Sequence, residues 1–222
     1  VATVMDESRR LFLQELVLTA LLFALSVILS VSGAFDLFNW KLHDTIVAWH
    51  RRIPEHRDNV VFVCIDQKSI DTFSNELAIG WPWPREFHGR VVDYLSKSGA
   101  RAIVFDVIFS EQDIDRDELT GSSSDDNFAR AIESSGITYL SVAGENSGFP
   151  GKKIPADYRF FLSAETPFSS LKDTPGYRTA LFPVERLASV SHGLGLVNMD
   201  PENDGIHRRY PIVSKLGDAY VP

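Results

Sequence analysis

The chain has 222 residues, 44% apolar and 23% charged, which is the composition of a folded domain rather than a disordered tail. One domain of roughly 100–200 residues is the expected count. A formal net charge of −8 opposes binding to nucleic-acid phosphates, and a single cysteine, Cys64, excludes an internal disulfide framework.

From Leu16 to Phe35 the sequence reads LVLTALLFALSVILSVSGAF, twenty residues without a charge. At 1.5 Å per residue this run matches a bilayer core of about 30 Å. Arg9 and Arg10 precede it and Asp36 follows, so the positive-inside bias puts the short N-terminus in the cytoplasm. The expected organisation is a cytoplasmic N-terminus at 1–10, a transmembrane helix at 11–35, and an extracytoplasmic domain at 36–222, cut short at its C-terminal end. A cleaved signal peptide is the alternative, since SGAF offers small residues to a peptidase. The apolar run exceeds the ~7–15 residues of a signal core, which favours an uncleaved anchor.

Next, DLFNWKLHDTIVAWHRR places Phe38, Leu42, Ile46 and Trp49 near one helical face, with Pro54 as the stop. NVVFVCID then reads as a strand buried on both faces, and RAIVFDVIF as a second. Between them Phe87, Val91, Tyr94 and Leu95 have helical spacing, and Gly99 stands where a left-handed C-cap belongs. That makes a strand–helix–strand unit with a right-handed crossover. DDNFARAIESSG adds a helix and ITYLSVA a third strand. Parallel strands are predicted near 59–66, 101–108 and 137–142, with helices 85–97 and 125–134 covering them.

From Gly144 to Pro183 the periodicity fades, as in a lid or a long loop. GLGLVNM and HRRYPIVSKL are strand-like, and Asp204-Gly205 between them signals a hairpin turn. The predicted fold is α/β: a transmembrane helix, then a mixed sheet with a parallel β-α-β-α-β core, flanking helices and a C-terminal β-hairpin.

Several stretches in this order resemble the type-two CHASE domain: VVFVCIDQKSI, WPWPREFHGRVVDYLSKSGARAIVFDVIF, SDDNFARAI and DGIHRRYPIV. The tryptophan–proline block followed by GARAIVFDVIF is the specific part. The resemblance implies an extracytoplasmic sensory domain of a bacterial membrane receptor. It further implies a cytoplasmic adenylate cyclase, histidine kinase or serine/threonine kinase as output.

Asp66 and Asp106 stand at or near the C-terminal ends of two predicted parallel strands, where ligands bind in open α/β sheets. Asp66 also suits the N-cap of a helix starting near Lys68. Arg85 opens a helix after Pro84, against the helix dipole, which requires an external partner; Asp66 and Asp106 are the candidates. The predicted ligand-binding set is Asp66, Ser69, Trp81, Trp83, Arg85 and Asp106. Trp81 and Trp83 form one stiff wall with Pro82 and Pro84.

Asp113, Asp115 and Asp117 alternate, but Glu118 and Ser124 replace the glycine and glutamate of a calcium-binding loop, so a solvated acidic loop is expected. No zinc spacing, phosphate-cradling loop or nucleophile elbow is present, so neither catalytic residues, metal nor cofactor are predicted. The expected partners are the cell membrane, a small-molecule or ionic ligand and a second copy in a homodimer, without nucleic acid. The rival is an anchored or secreted hydrolase using Asp66 and Asp106 as an acid/base pair, and a third possibility is a structural dimerisation module.

Overall fold

The computed structural model describes residues 2–50, 59–116, 119–146, 174–202, 204–217 and 219–221. The chain divides into two compact units, residues 1–64 and 65–222.

Two α-helices lie among the described residues of the first unit. α1 spans Ala2–Val31, and its stretch Arg9–Val31 has the length and hydropathy, a mean of 2.2, to cross a membrane. Two hydroxyls in this stretch bond backward to the helix backbone, Thr19 to Glu15 O at 2.8 Å and Ser26 to Phe23 O at 2.9 Å. Polar side chains on an apolar helix are thereby satisfied without water. Gly33, at φ 73°, breaks the helix, and α2 follows over Ala34–Trp49 with Asp36 in its first turn. The predicted face of Phe38, Leu42, Ile46 and Trp49 is exposed along its whole length. Pro54, the predicted stop, lies outside the described residues.

In the second unit, α3 covers Gln67–Leu77 and α4 covers Arg85–Lys97, the latter with the predicted bounds. After α4 ends, Gly99 takes φ 88° and Ala100 N–H returns to Leu95 O at 3.1 Å. β1 is Ile103–Val104, α5 is Gly121–Ser135 and β2 is Thr138–Glu145. β3 is Gly176–Tyr177, β4 is Thr179–Leu181 and α6 is Glu185–Ala188. β5 is Gly193–Leu196, β6 is Ser214–Leu216 and β7 is Ala219–Val221.

The architecture is mixed α/β, and β2 organises its larger sheet. It pairs parallel with β1 (Ile103 opposite Thr138) and with β5 (Leu140 opposite Leu194). Further along, β2 pairs antiparallel with β4 (Gly144 opposite Ala180). Where β5 ends, the Asn198 amide continues the ladder, donating to Gly144 O at 2.9 Å and accepting from Gly144 N–H at 2.5 Å. A smaller sheet places β6 between β3 and β7. The core joins Val92 of α4, Phe128 and Ile132 of α5, Leu140 and Val142 of β2, Leu187 of α6 and Leu194 of β5. α4 and α5 approach closely at Gly89, where a Cβ would lie 3.3 Å from Phe128 Cα.

Two expectations are corrected. Residues 60–66 form no strand, and Val60, Val61, Phe62 and Val63 are exposed. A β-branched run supplies propensity, but a strand exists only where a partner completes its ladder. The parallel pairing therefore involves the second and third predicted strands, with β5 taking the other parallel place. The hairpin around Asp204-Gly205 is also absent: the turn forms, with Gly205 at φ 79°, but β5 and β6 belong to different sheets. Helix α4 itself forms as expected, and its buried face is Arg85, His88, Gly89 and Val92, while Val91 and Tyr94 are exposed. Tyrosine and valine at helical spacing mark a stripe, not the side on which α5 packs.

Candidate functional site

Arg85 is the first residue of α4, and its environment is built by segments far along the chain. One guanidinium nitrogen donates to Asp125 Oδ1 of α5 at 2.8 Å, with both side chains nine-tenths or more buried. The other bonds the carbonyl of Glu111. The guanidinium also lies 5.3 Å from the centroid of the Phe109 ring, within cation–π range. The Arg85 backbone N–H, an orphan at the helix start, donates to Asp113 Oδ2 at 2.9 Å. Two carboxylates thus offset the unfavourable cation at this helix terminus.

The segment after β1 is tied into the same network. Asp113 N–H donates to Asp125 Oδ2 at 3.2 Å, while Arg116 reaches Asp113 Oδ1 and Pro82 O, each at 2.9 Å. Asp115 accepts from Gly121 N–H at 2.8 Å, at the first turn of α5. Burial alone would raise the Asp113 carboxyl. Hydrogen bonds from Ser124, the Arg85 backbone, Arg116 and Ile114 outweigh it and hold that carboxyl below the ordinary aspartate value. The expected solvated acidic loop is corrected at Asp113, whose side chain is only 5% exposed, whereas Asp115 is exposed. Asp117 lies outside the described residues. Among the described residues no cluster of three or more His, Cys, Asp or Glu side chains is placed to hold a metal.

The predicted partners of Arg85 are also corrected. Asp66 is the N-cap of α3, accepting from Ser69 N–H at 2.8 Å and Ser69 Oγ–H at 2.6 Å. The Ser69 hydroxyl, then its backbone N–H, hold the Asp66 carboxyl below its ordinary value. Asp106 is exposed on the segment after β1. The backbone alternative was local, four residues long, and it wins for Asp66 because an N-cap needs no tertiary assembly.

Trp83 and Trp81 separate in burial. Trp83 is 9% exposed and stacks on Phe73 at a centroid distance of 4.2 Å; Trp81 is 48% exposed and meets Trp83 edge-on at 5.6 Å. The Trp81–Pro82 peptide is cis. The structure thus places Trp81, Trp83 and Arg85 in one run, with Asp66 and Ser69 on the N-terminal end of α3 and Asp106 apart from the Arg85 network.

Asp125, Asp113 and His88 are the residues that sequence reasoning missed. Arg85, His88 and Val92 recur at helical spacing, as do Asp125, Phe128 and Ile132, so each polar residue continues an apolar stripe. That continuation was the available signal. His88 is 7% exposed, enclosed by Phe105, Phe109 and Phe128. A shallow cleft of about 410 Å³ borders the network, lined by Gln112, Asp125, Val184, Glu185, Arg186 and Ser189. It shares none of the six predicted ligand residues.

The described residues thus present an apolar helix of membrane-spanning length and a mixed α/β unit with a buried charge network at the start of α4. The CHASE2 domain model matches residues 18–221, and the chain belongs to that family, whose members are sensory extracellular domains of signalling receptors. No curated protein and no solved structure matches the chain.

Proposed function

We propose that the chain is the extracytoplasmic input region of a membrane receptor, with residues 1–10 cytoplasmic, 11–35 spanning the membrane and 36–222 outside. The observation that carries this is the CHASE2 match over residues 18–221, which begins within the apolar span Arg9–Val31. The output domain it regulates is an adenylate cyclase, histidine kinase or serine/threonine kinase, and the receptor works as a homodimer responding to a small or ionic ligand. Within this role Arg85 and Trp83 position α4, and Asp66 and Ser69 start α3. Asp66, Trp81 and Asp106 are the exposed members of the predicted set, and of these Asp66 is already bonded by Ser69.

An acid/base pair of Asp66 and Asp106 gains no support. Asp66 is held ionised by Ser69, and Asp106 makes no hydrogen bond among the described residues. Alkaline phosphatase fused after Pro222 tests the topology. Active phosphatase is expected; an inactive fusion, with an active cytoplasmic reporter at the same point, overturns the assignment.

A further inference from the structure

The His88 ring sits where three parts of the second unit meet. Its centroid lies 6.0 Å from Phe105 and 5.4 Å from Phe109, on the segment after β1, and 5.9 Å from Phe128 on α5. Phe109 is shared, because the Arg85 guanidinium lies 5.3 Å from the centroid of the same ring. The charged groups facing the imidazole are Arg85 from its own helix and Asp113 from the segment after β1. α5 brings Asp125 to this junction, with its carboxylate already bonded by Arg85 and by Asp113 N–H. Asp113 is likewise engaged by Arg116 and by the Arg85 backbone. No side-chain hydrogen bond to the His88 ring occurs among the described residues, so an added proton would meet aromatic rings and a fixed cation.

We propose that His88 makes the junction of α4, α5 and the Phe105–Phe109 segment proton-sensitive, so that acid outside the membrane loosens α4 from α5. The stimulus is then the proton itself, which rests on the sensory role proposed above. Burial, and after it the Arg85 charge, push the imidazole below its ordinary value, with Asp113 opposing them only in part. At neutral pH the ring is uncharged and packs as a fourth aromatic. The unfolded chain takes up its proton near pH ~6.5, whereas the packed ring does so only at lower pH. The junction therefore has its full stability above that pH and loses it as the pH falls, until the packed ring protonates too.

Hydrogen-exchange mass spectrometry on the full chain in lipid nanodiscs, at pH 7.5 and 5.5 with intrinsic rates corrected, tests this. Opening of 85–97 and 121–135 is expected to rise on acidification, up to about tenfold, the limit set by an unfolded histidine one pH unit below its pKa. His88→Gln, neutral throughout, should show none of this extra rise. An equal acid response in wild type and variant overturns the proposal. If His88→Gln does not fold, NMR titration of the wild-type ring decides: an ordinary or raised midpoint overturns it, and a lowered one supports it. An inactive phosphatase fusion would overturn the proton as stimulus, while the exchange data still decide the latch.

Discussion

Arg85 and Asp125, forty residues apart in sequence, meet at 2.8 Å across the α4–α5 junction with side-chain exposures of 10% and 7%. A buried pair of this kind is not a large net source of stability, since desolvation offsets most of the attraction. Its importance lies in what happens when one partner is removed: the other remains charged, buried and unpaired.

Arg85→Ala is therefore expected to destabilise the second unit by about 3–5 kcal/mol. Asp125→Ala should cost a comparable amount, and the double variant less than the sum of the two, because neither charge is left alone. Urea denaturation of the four proteins gives the coupling. Unchanged stability in Arg85→Ala, combined with lost signalling, would show instead that Arg85 contacts a ligand.

Acid stability should depend on Asp113. Its carboxyl is held below the ordinary value in the folded chain, so its stabilising contribution is present above the unfolded aspartate pKa of about 3.9 and fades as pH falls through the lower folded value. Asp113→Asn should lower stability at neutral pH and flatten the decline below pH ~4. Denaturation midpoints measured from pH 7 to 2.5 provide the check. The His88 contribution begins to fade at higher pH, near the unfolded histidine pKa of ~6.5. Parallel acid limbs in wild type and variant would remove Asp113 from the account.

Gly121 should tolerate no side chain. A Cβ there would overlap the Asp113 carbonyl, which belongs to backbone and cannot swing aside as a flexible side chain can. Gly121→Ala is expected to cost ~1–3 kcal/mol or more through overpacking. The damage should appear first as lost exchange protection at the start of α5. A thermal midpoint equal to wild type would show that the 111–120 segment can move away.

The parts legible in the amino-acid order are those settled by near neighbours. The apolar run was legible as a helix of membrane-spanning length because helical backbone bonds are internal, although the helix ends at Val31, before Gly33, rather than at Phe35. Gly99 follows α4 where a left-handed residue was expected, with φ 88°, and Gly136 closes α5 at φ 62°. Asp66 caps α3 through a residue three positions on. The start of α5 was read one turn late, at 125 rather than at Gly121, and Asp125 was thereby missed as an inward-facing carboxylate. Its pairing with Arg85 followed from no local pattern. The same holds for β5, which lies beside β2 rather than beside β6, and for the exposed run 60–65, whose β-branched residues signal a strand equally well with or without a partner. Helices and caps close their hydrogen bonds within a few residues, so sequence order determines them. Strand ladders and buried ion pairs close theirs between segments tens of residues apart, and only the packed chain decides which segments meet.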